Sequence, residues 1–315
     1  EYSTSYASKG CMSCHTTLPY ALARPELRGR FQAQPSAAET RIFDNLLTRA
    51  RNWREVEPFY PDQTRGVPKT SESRAIEAVM NAVVLSRRDA RSGRLSDDTR
   101  TAFDVMWSLQ MKTGPNNGAW TWLNFNYEPW ESPNSPYFGA SLAALAVGAA
   151  PEGYAASPAI QDRLHALRSY FHRQHGTVSL LNQLMGLWAS GAVPDLLTPE
   201  QRSATIAAAF AAQQADGGWS TASLGTYQRV DKTANDTKSD GYGTALACLA
   251  LRAAGVEDPR VTKGLDWLRQ HQDAATGRWT ATSLNKQRDP ASEPGKFMDD
   301  AATAYAVLAL TFDKR

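Results

Sequence analysis

Two cysteines and a histidine cluster near the start of the chain, in Cys11-Met12-Ser13-Cys14-His15. Thiols at this spacing can add to the two vinyl groups on one porphyrin edge, while the next residue turns its imidazole under the iron. C-x-x-C-H is the spacing of covalent haem c attachment. Cys11 and Cys14 are therefore the expected thioether anchors of one haem, and His15 its proximal iron ligand. Two other readings of the pair remain, a dithiol or disulfide and half of a zinc site. Zinc normally takes four protein ligands, and no second C-x-x-C or His pair accompanies this one. A redox-active dithiol would sit beside a βαβ pattern, which is absent. The third cysteine, Cys248, lies in an alanine- and leucine-rich run and reads as a small core residue. For a sixth iron ligand the sequence offers His172, His175, Met106, Met111, Met185 and Met298.

The elements that would position this motif are helical. Apolar residues recur at helical spacing, which predicts helices at about 37–53, 72–89, 97–111, 138–149, 157–172, 178–190, 199–214, 242–254, 259–272 and 300–312. An internal repeat runs through them. A helix ends in Gln, a short turn follows, and then comes Gly-x-Trp or Gly-Trp: Gln110 to Trp120, Gln214 to Trp219, and Gln272 to Trp279. After each Trp a loop of about 20 residues, long for a connection, leads into a helix apolar nearly all round. Those helices align as Phe138 to Val147, Tyr242 to Leu251 and Ala301 to Leu310. Such a surface belongs to an inner ring buried behind an outer one.

The stretch Lys263-Gly-Leu-Asp-Trp-Leu-Arg-Gln-His-Gln272, continued by Gly277-Arg278-Trp279, resembles the QW repeat of squalene and oxidosqualene cyclases. The region from about Ser71 onward resembles the prenyltransferase and squalene-cyclase repeat superfamily. That resemblance implies an all-α fold, an α/α toroid with parallel inner helices and loops around a central cavity. It also implies that Trp120, Trp219 and Trp279 are stabilising rather than catalytic. The expected division is a haem-binding segment at 1–36 and a barrel at 37–315. The segment Thr16 to Leu22 further resembles exported bacterial proteins that join C-x-x-C-H to these repeats.

Cyclases of that family protonate an alkene with a D-x-D-D-T-A motif. Asp240-Gly-Tyr-Gly-Thr-Ala245 keeps the first Asp, the Thr and the Ala, but places Tyr242 where the proton donor would stand. Asp299-Asp-Ala-Ala-Thr-Ala304, in the same register, places Ala301 there. The zinc ligands of protein prenyltransferases are likewise replaced, by Tyr242 and Ala302. Asp240, Asp299 and Asp300 read as helix caps, with a residual acid role left open. The loop from Trp120 to Trp130 is the most aromatic segment, and Trp122, Phe125, Tyr127 and Trp130, with Tyr242, either line a ligand pocket or pack a rim.

A net charge of +2 over 315 residues, with arginines scattered among acids, gives no nucleic-acid surface. The longest apolar run, Tyr137 to Ala150, is too short for a membrane span, which needs roughly 20 residues. With a start at Glu1, a removed signal peptide and a periplasmic or otherwise exported location are expected. Three functional classes follow: a periplasmic haem protein passing electrons to a partner or acting on a small apolar ligand; a terpenoid-handling enzyme with auxiliary haem; and an isoprenoid- or lipid-binding module.

Overall fold

The computed structural model describes residues 12–60, 62 and 69–313. Among these residues the regular structure is helical, apart from one isolated bridge between Tyr127 and Glu131. The α-helices are α1 (Thr17–Phe31), α2 (Ala37–Arg51), α3 (Thr70–Ser92), α4 (Asp97–Ser108), α5 (Ser135–Ala149) and α6 (Gln161–Gln174). They continue as α7 (Leu180–Ser190), α8 (Pro199–Ala211), α9 (Gly241–Ala253), α10 (Pro259–Gln270) and α11 (Phe297–Thr311).

The odd-numbered helices form a closed ring. Each packs on the next, from α1 through α3, α5, α7 and α9 to α11, and α11 returns to α1. Each even-numbered helix lies outside, against the odd one before it. The chain is thus an α/α toroid with six inner helices running the same way, their N-terminal ends at one mouth and their C-terminal ends at the other. The inner helices α5, α9 and α11 carry few charges and are buried on nearly every face, which only enclosure on both sides explains.

Helix starts follow local chemistry. Ser36, Ser96 and Ser179 accept backbone N–H bonds at the third helical position of α2, α4 and α7, and Thr198 with Gln201 closes a capping box on α8. Proline stands in the first turn of α8 and α10, where its missing N–H costs nothing.

The Gln and Trp repeats act as clamps between hairpins. The indole N–H of Trp120 donates to the Met106 carbonyl (2.6 Å), that of Trp219 to Ala209 (2.6 Å), and that of Trp279 to Leu268 (2.7 Å). Each ties a loop to the end of the preceding outer helix and satisfies a carbonyl left over there. Gln110 donates to the carbonyls of Gly118 and of Arg163 on the next outer helix. In the following repeat Gln213 makes the corresponding pair, to Gly217 and Arg260, whereas Gln214 reaches Thr237. The repeat register therefore shifts by one residue from that read at Gln214.

Helix α1 was not foreseen, and it matters. It fills the place between α11 and α3 that closes the ring. A boundary between residues 36 and 37 consequently cuts through the toroid, and the helix that follows the cysteine motif is one of its staves.

Candidate functional site

Cys14 and His15 of the motif sit at the mouth formed by the N-terminal ends of the inner helices. Cys11 lies outside the described residues. Ser13 holds the turn into α1, its hydroxyl accepting from the N–H groups of Thr16 and Thr17 (3.2 and 3.1 Å). That bond places Cys14 and His15 inward, where both are buried. The His15 ring stacks on Phe297 of α11 at 4.3 Å and faces Trp130 at 5.9 Å. Burial pulls the His15 pKa down to about 4 and pushes the Cys14 thiol well up, with the Glu131 carboxylate adding to the latter.

His15 borders two hollows. A small pocket of about 40 Å³ is lined by Cys14, His15, Met80 and Glu131 among others. A cleft of about 360 Å³ is bordered by His15, Phe125, Tyr127, Trp130, Phe297 and Met298. Its other rim carries Lys286 and Arg288. The donor set fits a haem c. A thiol and an imidazole lie together at the junction of the hollows, and the cleft offers aromatic and thioether surface of the kind a porphyrin face packs against. Lys286 and Arg288 offer cations for propionates, and Glu128 and Glu131 border the same cleft.

Of the residues expected to line a ligand pocket, Phe125, Tyr127 and Trp130 do border this cleft. Trp122 and Tyr242 do not. Trp122 packs so tightly on α5 that a Cβ on Gly139 would lie 2.2 Å from its ring, and its indole donates to the Trp130 carbonyl (3.0 Å). Tyr242 is fully buried on the ring axis, accepts from the Trp130 indole (3.1 Å) and packs edge-on against Tyr305. Phe297, Lys286 and Arg288 were not singled out from the sequence. Phe297 stood one turn before the recognised inner-helix repeat, and the two cations sit in an irregular loop without a pattern.

Asp240 caps α9. Its carboxylate accepts from the N–H groups of Tyr242 and Gly243 and from the N–H and hydroxyl of Thr221, the last two at 2.6 Å. Burial raises its pKa to about 6 against these bonds. Asp299 occupies the same register, accepting from the N–H of Ala281 two residues after Trp279, as Asp240 does two residues after Trp219. The Thr-Ala alignment is matched too, since Thr244 bonds the Trp219 backbone and Thr303 that of Trp279. Burial raises both Asp299 and Asp300 from the ordinary carboxylate value. Tyr242, in the proton-donor position, is pushed well above the usual phenol value by burial.

The proposed axial ligands separate clearly. His172 faces the exterior, and Met106 and Met185 are enclosed in the packed core. His175 is locked at both nitrogens. The Thr205 hydroxyl donates to the Gln201 carbonyl, so it accepts from Nε2–H of His175 (2.6 Å), and Nδ1 accepts the Tyr137 hydroxyl (2.6 Å). Met298 alone of the six borders the cleft beside His15, and Met80 borders the smaller pocket. Cys248 is buried, its thiol pushed up to about 12 by desolvation, as a core residue would be.

A family model for the squalene-hopene cyclase C-terminal domain matches residues 175–298, from the approach to α7 into the first turn of α11. No curated protein matches significantly. A solved structure described as a wild-type glycosidase is similar over 98% of this chain and 86% of its own, at 16% identity and a TM-score of 0.43. No helix among the described residues is long and apolar enough to cross a membrane. In its later repeats, then, the chain is similar to squalene-hopene cyclases.

Proposed function

We propose that this is a terpenoid-handling protein, cyclase-like in build, that binds an apolar isoprenoid-class molecule without cyclising it. It carries one haem c at its mouth on Cys11, Cys14 and His15 and works in an exported compartment. The observation that carries this reading is the state of the acid position. Asp240 has both carboxylate oxygens occupied by four donors, and the donor position itself holds Tyr242, a weak acid made weaker by burial. Protonating an alkene needs a strong, preorganised acid aimed at the substrate, and neither group supplies one. What the fold retains is enclosure.

When bound, the haem supplies one-electron exchange with a redox partner. The chain's contribution is to shield and orient: Phe297 and Trp130 fix the His15 imidazole, and Tyr127 and Phe125 border the neighbouring cleft. A second reading, a haem-dependent oxidoreductase acting on a small molecule in that cleft, draws on the same adjacency of His15 to open space.

Production in an exporting host with cytochrome maturation should give one covalent haem per chain by intact mass, lost in Cys11→Ala/Cys14→Ala. Incubation with squalene and shorter polyprenes should yield no cyclised product while equilibrium dialysis shows uptake. A hopanoid-like product that disappeared in Asp299→Asn or Asp300→Asn would overturn the binding role. Free thiols at both cysteines after such production would remove the haem.

A further inference from the structure

A pit of about 250 Å³ lies where α1, α2 and α3 meet, and it shares no lining residue with either hollow beside His15. Much of its surface is apolar, from Ala21, Leu22, Pro25, Phe43 and Val84, and the carboxylate of Glu39 stands among them.

Glu39 breaks a local rule to be there. Ser36-Ala-Ala-Glu39 has the sequence of a capping box, in which the acid reaches back to the N–H of the cap residue. Only half of the box forms: the Ser36 hydroxyl accepts from the Glu39 N–H at 3.2 Å, and the return bond is not made, unlike the complete box of Thr198 and Gln201 on α8. The Glu39 side chain instead makes one bond, its Oε1 accepting from Nε of Arg28 at 3.1 Å. It is 1% exposed, and its Oε2 is buried with no partner among the described residues. An unmade bond at a buried acceptor is costly, and a side chain that gives up a local bond to bear that cost marks a candidate site. The Arg28 side is open as well. A guanidinium frequently meets a carboxylate through two parallel bonds, whereas this one uses Nε alone and leaves its terminal nitrogens without an acceptor among the described residues.

Net charge does not choose the occupant. Arg87 and Arg91 are held by Glu26, Arg88 by Asp89 and Arg28 by Glu39, and Asp44 stands at the rim, so the guanidiniums and carboxylates balance. Hydrogen bonding does choose. A vacant carboxylate oxygen beside unused guanidinium N–H groups matches a group that donates through one atom and accepts through the next. A carboxamide does both, its N–H donating to Oε2 and its carbonyl oxygen accepting from Arg28, while a ring attached to it packs on Phe43 and Pro25. A carboxylate would set oxygen against Oε2, and an ammonium would leave Arg28 without an acceptor. The last torsion of a glutamate is broad, so the carboxylate can turn to meet an entering donor. We propose that this pit is a binding site for a neutral, ring-bearing carboxamide, recognised by Glu39 and Arg28. The assignment is independent of what the mouth of the ring holds.

The test titrates the full chain, produced in the exporting host, with benzamide and with benzoate and benzylamine as its charged counterparts, read by calorimetry and ligand-observed NMR. Benzamide should bind one to one and about tenfold or more tighter than either charged compound, each of which leaves a buried group unmatched. Glu39→Gln exchanges an acceptor oxygen for an amide donor, so it should weaken benzamide about tenfold and turn the preference towards benzoate. A side chain that only supports the fold would not reverse that preference. Thr40→Trp, at an exposed position on the rim, should block benzamide without altering melting, and it decides the matter should Glu39→Gln fail to fold. An unchanged benzamide-to-benzoate ratio in Glu39→Gln, or benzamide binding that survives Thr40→Trp, overturns the site. Benzoate or benzylamine binding wild type as tightly as benzamide overturns the choice of ligand. Absence of binding by all three leaves water alone to complete Glu39 and overturns the proposal outright.

Discussion

The two ends of the ring are built from the same six helices and have opposite interiors. At the mouth, large rings fill the axis: Trp130, Tyr242 and Tyr305 interlock, and Trp122 presses on Gly139. At the far end the same helices turn to alanine, glycine and leucine, and a cavity remains. Charge is mixed at both ends: Lys286 and Arg288 share the mouth cleft with Glu128 and Glu131, and at the far end Glu26 pairs with Arg87 and Arg91 and Asp313 with Arg30. The contrast is therefore one of packing, a filled axis at the mouth and an open one behind it.

The sharpest way to break this contrast is to remove one side chain from each end. Tyr242→Ala deletes a fully buried ring with an indole bond and two aromatic neighbours. It should cost about 3 to 5 kcal/mol, as large aromatic truncations in cores do. Leu308→Ala borders existing space, so it creates less new void and should fall near 2 kcal/mol, the low end for leucine. Denaturant titration of both variants decides the matter. Equal losses would mean that the far end is as tightly packed as the mouth.

The same contrast predicts where acid acts. Burial holds both His15 and His175 at about 4, below their ordinary 6.5, and both lie in the mouth half of the ring. Because the folded values are depressed, the unfolded chain binds more protons as pH falls. Stability is complete above pH 6.5 and declines as pH drops towards 4. In the haem-free chain each histidine should contribute a loss of up to about 3 kcal/mol across that window. Chemical denaturation at pH 7, 5.5 and 4.5 measures it, and His175→Asn should remove about half of the slope. A flat profile would show that water reaches both rings.

Much of the architecture was readable because it depends on period and punctuation. Ten helices stood where apolar spacing and caps put them, and the Thr-Ala register that set Asp240 beside Asp299 is mirrored in their identical bonds to the Trp+2 backbone. Helix α1 was hidden by Pro19, Pro25 and Gly29, which discourage a helix locally. It forms because Leu18, Ala21 and Leu22 are buried in the gap between α11 and α3. That energy comes from partners distant in sequence and leaves no local trace. Side-chain direction was equally illegible in the aromatic loop, where Trp122 turns into the core and Phe125, Tyr127 and Trp130 meet the cleft. Nothing in an alanine-rich helix distinguishes a filled axis from a hollow one, so the far cavity appears only once the ring is closed.

The smallest expected effect concerns the caps that replaced the family's acid. Asp240 accepts four bonds and Asp299 one from the backbone of the preceding loop, so Asp240→Asn should destabilise by about 1 kcal/mol and Asp299→Asn by less. An asparagine side chain keeps one acceptor oxygen and gains an amide that faces donors, which is why the loss grows with the number of bonds. Burial raises the Asp240 carboxyl to about 6, above its unfolded value, so the folded state takes up a proton as the pH falls below 6; lowering the pH to 5 should stabilise wild type relative to Asp240→Asn, which has no such group, and widen the difference between them. Thermal melts of the two variants at pH 8 and pH 5 provide the comparison. If Asp240→Asn left stability untouched at pH 8 yet changed ligand uptake, the carboxylate would belong to the binding chemistry and the mouth would have kept more of its acid role than its hydrogen bonds indicate.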